Sequence, residues 1–177
     1  QILLRSGIGP SEDIIKHNFI RGVSLTGSGR AGSVVASLAG QHLKKVVLEL
    51  GGSDPFIVFE DANIDLAVQT AVRARFTNAG QVCISAKRFF IHETIFDQFM
   101  SLFKSKIAAL RVGDPSHQDT DMGPMARADL RDMIQNQVAR SIELGATSIY
   151  KHDDIPKKGW FYPPTILTNV KKGMPVI

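Results

Sequence analysis

Gly22-Val23-Ser24-Leu25-Thr26, Gly27-Ser28-Gly29-Arg30-Ala31-Gly32 and Lys45-Val46-Val47-Leu48-Glu49 decide the fold. The first stretch alternates aliphatic residues with small or polar ones and the third is a short apolar run rich in valine, and both patterns predict strands. Between them, residues 30–43 are small and apolar at helical spacing, so the segment reads as one strand-helix-strand unit. Such a unit places its two strands parallel, with the helix on one face of the sheet. The glycines fall at the turn from strand to helix in the spacing G-x-G-x-x-G. Free backbone N–H groups and the positive end of a helix dipole make such a turn a phosphate site, and glycine lets the phosphate approach closely. The rival reading is a turn that is glycine-rich only because strand and helix pack tightly there.

Outward from this unit, the same alternation continues. Pro55-Phe56-Ile57-Val58-Phe59 predicts a strand, with Asp61 or Asn63 as cap for a helix over residues 64–76. That helix reads as apolar almost all round, so a buried position is expected for it. It delivers Asn78-Ala79-Gly80-Gln81-Val82-Cys83 at its end. Arg88-Phe89-Phe90-Ile91 is a further strand, and residues 94–110 form an amphipathic helix. A breaker-rich loop runs from Val112 to Pro124. A second amphipathic helix over residues 126–144 follows, with Leu130, Ile134, Val138 and Ile142 as its seam and Gly145 as its terminator. A polar stretch over residues 151–159 leads to Trp160-Phe161-Tyr162-Pro163-Pro164 and a short strand at Thr165-Ile166-Leu167. The expected class is α/β, a three-layer, mostly parallel sheet with helices on both faces.

Composition narrows the function classes. Of 177 residues, 44% are hydrophobic and 21% charged, close to soluble globular averages. No run approaches the roughly 18 apolar residues of a membrane span, and Gln1-Ile2-Leu3-Leu4-Arg5 is too short for a signal-peptide core. A cytoplasmic protein with no membrane partner is expected. The net charge of +4 is scattered, with basic doublets at 44–45, 157–158 and 171–172 in place of the longer runs of a nucleic-acid arm, so no nucleic-acid partner is expected. Histidines 17, 42, 92, 117 and 152 lack metal-ligand spacing, and no metal is expected. The start without Met and the end at Met174-Pro175-Val176-Ile177 read as those of an excised piece.

Two side chains stand out as reactive. Glu49 lies 20 residues after Gly29, the distance at which a dinucleotide fingerprint places an acid for a ribose. It also closes an apolar strand just before Gly51-Gly52, where burial would raise a carboxyl pKa and suit a general base. A structural carboxylate is the third reading. Cys83 is the one cysteine of the chain, which excludes an internal disulfide. Its loop setting suits a nucleophile near backbone N–H donors, whereas cysteine elsewhere is more often an inert buried hydrophobe. The residues by themselves leave these two open.

Leu25-Thr26-Gly27-Ser28, Leu48-Glu49-Leu50-Gly51-Gly52 and Phe76-Thr77-Asn78-Ala79-Gly80-Gln81-Val82-Cys83 together resemble the aldehyde dehydrogenase family in content, order and spacing. Gly113-Asp114-Pro115, Gly123-Pro124 and Tyr162-Pro163-Pro164-Thr165-Ile166-Leu167 add to the likeness. The resemblance implies NAD or NADP as cofactor and oxidation of a small-molecule aldehyde to an acid. It makes Cys83 the nucleophile, forming a thiohemiacetal and then a thioester, and Glu49 the base that activates water, in place of a ribose ligand. Gly27 and Ser28 would meet the pyrophosphate, and Thr26 and the Leu50 backbone the nicotinamide. Gly29 and Gly32 belong to the same cofactor turn, although their match to G-x-G-x-x-G is partly fortuitous in this family. Residues 1–48 would end the cofactor domain and residues 49–177 would form much of the catalytic domain.

The resemblance also implies a full-length homodimer or homotetramer, with an oxyanion-hole asparagine, a cofactor-gripping glutamate and an oligomerisation tail outside this chain. An isolated chain of this span is expected to be inactive. Within the family, Gly51-Gly52-Ser53-Asp54-Pro55-Phe56 and residues 123–131 look most like a bacterial branch acting on succinate semialdehyde. One departure is Thr77, where members of that activity carry an arginine that pairs with the substrate carboxylate. Another is Ile84-Ser85, which replaces the second cysteine of redox-regulated members. A non-catalytic relative that keeps the fold is the rival class, and intact Cys83 and Glu49 weigh against it.

Overall fold

A computed structural model describes residues 9–177, so the opening Gln1-Ile2-Leu3-Leu4-Arg5 lies outside the described residues. Two compact units meet in the chain after Gly52.

The first unit contains helix α1 (Gly9–Lys16), strand β1 (Gly22–Thr26), helix α2 (Gly29–Gln41) and strand β2 (Lys45–Glu49). β1 and β2 pair in parallel with Val23 opposite Val46 and Thr26 opposite Glu49, as the strand-helix-strand reading requires. Helix α2 is shorter than expected. It stops at Gln41, with His42 as its cap, because Leu43 turns into the left-handed region at φ 54°. α1 carried no expectation from the sequence.

The second unit holds β3 (Asp54–Val58), α3 (Ile64–Phe76), β4 (Ala86–Ile91), α4 (Phe96–Ala108), α5 (Ala128–Glu143), β5 (Thr147–Lys151) and β6 (Thr165–Thr168). β3 and β4 pair in parallel across α3, a second crossover of the same kind. Phe56 and Val58 on β3 and Phe89 and Ile91 on β4 join Val68, Ala71 and Phe76 of α3 and Phe99, Phe103 and Ile107 of α4 in one core. Phe89, Phe103 and Phe99 follow one another with ring centroids 5.5 Å apart, a favourable aromatic spacing. The opposite face of this pair, carried by Ile57 and Phe90 directly across the ladder, is exposed.

Three local expectations are corrected. α3 is not apolar all round: Val68, Ala71 and Phe76 are buried, but Leu66 is 61% exposed and Asp65, Gln69, Thr70 and Arg73 face solvent. Its Asn63 cap is as expected, with Oδ1 accepting from the Leu66 N–H at 3.0 Å. On α5 the seam does not end at Ile142, which is 43% exposed, but at Ser141, which is fully buried. Each i+4 step advances a helical position by about 40°, so three steps from Leu130 carry residue 142 about 120° off the seam, while residue 141 returns to within about 20°. The third difference is β5, a strand that no local pattern in the sequence predicts. It pairs antiparallel with β6, in contrast to the two parallel pairs.

The aromatic and proline cluster lies against these strands. The Met125 N–H donates to Trp160 O at 2.8 Å and the His152 N–H to Pro164 O at 2.9 Å. Burial pushes the Tyr162 phenol above its ordinary pKa, opposed by the Thr165 hydroxyl. A raised folded-state value means that the phenol's contribution to stability is complete below the unfolded value of about 10. It is lost as pH climbs through the folded value. The urea midpoint is therefore expected to fall less in Tyr162→Phe than in the wild type between about pH 8 and about pH 11. Equal falls would remove Tyr162 from the alkaline balance.

Candidate active-site segments

The first unit gathers Thr26, Gly27, Ser28, Gly29, Gly32, Glu49 and Leu50 around the C-terminal ends of two parallel strands, the edge at which open α/β sheets bind ligands. The Gly27 N–H donates to Glu49 O at 2.9 Å and ties the two strand ends together. Ser28 is the N-cap of α2, and its hydroxyl accepts from the Ala31 N–H at 3.2 Å. Residues 26–30 are exposed, so the first N–H groups of a 13-residue helix open to solvent, where an anion is favoured.

The three glycines of the turn have different surroundings. A Cβ on Gly29 would meet nothing within 4 Å, and one on Gly27 would only graze Leu25 at 4.0 Å. Gly32 is buried, and a Cβ there would stand 2.8 Å from a methyl of Leu50. The space beside Gly29 is thus open, whereas that beside Gly32 is taken by Leu50. Glu49 is exposed at the end of β2. The burial that the sequence suggested for its carboxylate is not present here, because alternate residues of β2 point outward and Glu49 is one of them.

The second unit presents Cys83. α3 ends where Thr77 turns out of the helix, its hydroxyl donating to Arg73 O at 2.7 Å. Asn78, Ala79 and Gly80 then run through the left-handed region with φ of 54°, 54° and 75°. For a residue with a side chain that conformation costs roughly 1–2 kcal/mol, and strain of this kind concentrates at functional sites. Gln81 holds the run in place: its amide N–H donates to Asn78 O at 3.0 Å, and its amide oxygen accepts from the Ala126 N–H at 3.0 Å. Asn78 returns a bond to Gln81 O at 3.2 Å.

Next comes a tight turn over residues 82–85, closed by the Ser85 N–H donating to Val82 O at 3.1 Å. Cys83 and Ile84 occupy its two central positions, so both side chains are thrown outward. The thiol is exposed and Ile84 is 73% exposed. Ser85 is buried, and its hydroxyl finds no partner among the described residues. The exposed thiol is not in the buried setting that cysteine more often occupies.

Two residues here were not singled out as part of the site by the sequence. The partner of Gln81 lies 45 residues away, a distance over which no local pattern carries information. The other is Arg75, whose guanidinium packs against Gly80. Among the described residues, no three His, Cys, Asp or Glu side chains gather where they could hold a metal ion, and no helix is long and apolar enough to cross a membrane.

The described residues thus combine a parallel crossover unit, whose helix starts at an exposed glycine turn, with a cysteine displayed beside a left-handed loop. The aldehyde dehydrogenase family model matches residues 1–177, and the chain belongs to that family. It is 46% identical over 174 residues to succinate-semialdehyde dehydrogenase [NADP(+)] 1 of Mycobacterium tuberculosis, a match covering 98% of this chain and 38% of that protein. It is 48% identical over 161 residues to succinate semialdehyde dehydrogenase [NAD(P)+] Sad of Escherichia coli, covering 91% of this chain and 35% of that one. Among solved structures, the succinic semialdehyde dehydrogenase of Streptococcus pyogenes in complex with NADP+ is similar with a TM-score of 0.91 and 34% identity, over 96% of this chain and 37% of the other. The chain thus spans less than two fifths of the length of these relatives.

Proposed function

We propose that the full-length protein carrying this sequence is an NAD(P)-dependent dehydrogenase that oxidises succinate semialdehyde to the acid. In this reading residues 1–48 complete its cofactor domain and residues 49–177 form much of its catalytic domain. The observation that carries the reading is Cys83, exposed at the tip of a tight turn behind three consecutive left-handed residues. The thiolate of Cys83 adds to the aldehyde carbon, and its own backbone N–H serves as one donor to the oxyanion. Bound nicotinamide supplies the hydride acceptor. After hydride departs, Cys83 carries a thioester, and Glu49 takes a proton from the water that cleaves it. The open turn at Gly27, Ser28 and Gly29 fits a pyrophosphate, with Thr26 and Leu50 toward the nicotinamide. Gly32 serves this turn by admitting Leu50.

The names of the relatives support the carboxylated substrate. Thr77 departs from it, since its hydroxyl is engaged by Arg73 O and offers no charge to a carboxylate. The discriminating experiment compares NAD(P)H formation by the full-length protein with succinate semialdehyde and with butanal, an aldehyde of equal chain length. A carboxylate bound by a charge-assisted hydrogen bond is worth about 1.5–3 kcal/mol, so kcat/KM is expected to favour succinate semialdehyde by roughly tenfold or more. A preference for butanal would leave an aldehyde dehydrogenase of another substrate class. No reduction with any aldehyde would favour a non-catalytic relative.

A further inference from the structure

We propose that Arg75 is a positioning residue for Cys83, its guanidinium plane lying on Gly80 and locking the left-handed run from which the thiol-bearing turn departs. The inference rests on the reading of Cys83 as nucleophile. Its first observation is geometric. The Cζ, Nη1 and Nη2 atoms of Arg75 each lie 3.0 Å from the point a Cβ on Gly80 would occupy. Equal distances to three atoms of one plane mean that the plane faces Gly80 and does not touch it edge-on. Gly80 is therefore required twice, by its φ of 75° and by the guanidinium stacked over it.

The second observation concerns charge. Nη1 is buried and has no acceptor among the described residues, and burial pushes the guanidinium pKa down from its ordinary value. A desolvated cation without a counter-ion is unfavourable, and an apolar side chain of similar length in such a place is often neutral or stabilising. Stability gives no reason for an arginine here. Planarity gives one, because a flat rigid group covers the peptide of a turn that a flexible chain would leave loose. The loop is then held from two directions, by Arg75 over Gly80 and by the Gln81 amide between Asn78 and Ala126. The strained residue Ala79 lies between these two supports.

The test uses the full-length protein with Arg75→Met and Arg75→Lys. Alkylation of the Cys83 peptide by iodoacetamide is followed by mass spectrometry, beside kcat, the KM for NADP and the urea midpoint. Misplacement of a reacting group by about 1 Å costs on the order of 100-fold. Arg75→Met is therefore expected to slow alkylation and kcat by about tenfold or more, with the urea midpoint equal or higher and the cofactor KM unchanged. A midpoint that falls in step with the rates would assign Arg75 an ordinary structural role and overturn the proposal. Unchanged rates would overturn it as well. Arg75→Lys is expected to behave like the Met variant, and full recovery would show that charge and not the plane matters, against the proposal.

Should Arg75→Met fail to fold, Gly80→Ala displaces the guanidinium from the other side and is expected to slow alkylation similarly, with normal alkylation sinking the idea. Absence of aldehyde oxidation in the wild type would defeat the proposed function alone, since the alkylation rates still decide the role of Arg75.

Discussion

Cys83→Ala in the full-length protein is expected to reduce aldehyde-dependent NAD(P)H formation by roughly 10⁴-fold or more, the scale on which loss of a covalent nucleophile is felt. The size follows from the mechanism: without the sulfur no thiohemiacetal forms, so hydride has no tetrahedral carbon from which to leave. Folding should be nearly untouched. The side chain is exposed on a turn, and surface substitutions of this kind usually change stability by less than about 0.5 kcal/mol. Cofactor affinity should also persist, because the turn proposed for the pyrophosphate belongs to the other compact unit. Steady-state kinetics, a thermal melt and a cofactor titration on the same preparation check all three expectations. A variant retaining activity within about tenfold of the wild type is incompatible with covalent catalysis at this residue.

Glu49→Gln is expected to separate the two halves of the reaction. Acylation needs no water, so a burst of NAD(P)H near one equivalent per site should remain, while steady turnover falls by about 10²–10⁴-fold, the usual worth of a general base. The acyl group should then be detectable on the Cys83 peptide by mass spectrometry. Rapid mixing tells the three readings of this carboxylate apart. A ribose ligand would show as weakened cofactor binding with turnover restored at saturation, and a structural carboxylate as a lowered unfolding midpoint. The general base alone leaves a full burst followed by a slow phase. Loss of the burst itself would place Glu49 before hydride transfer and refute the role given to it here.

Much of the site was legible in the sequence because its parts are local. The strand ending at Thr26, the turn at Gly27 and Ser28, and the strand ending at Glu49 follow from patterns within a few residues of each, and the structure has both strands at the expected bounds. The pattern could not separate Gly29 from Gly32. Their difference is a methyl of Leu50, 18 residues further on, that occupies the space beside one and not the other. The expected burial of Glu49 failed for a related reason. An apolar strand predicts that alternate residues are buried, but which parity faces inward depends on what covers the sheet.

The sequence by itself determined where the chain turns, which segments are helix and strand in the parallel crossovers, and which side chains are candidates for reactive chemistry. These depend on backbone preferences and on residue type, both of which act at short range. Tertiary structure alone decided that β5 pairs antiparallel with β6, that Ser141 and not Ile142 closes the seam of α5, and that Gln81 reaches Ala126. It alone decided that Arg75 covers Gly80 behind the cysteine loop. The physical reason is common to all four. Each depends on which atoms arrive at van der Waals or hydrogen-bond distance once the elements pack, and close packing settles that with a precision well below the length of a side chain.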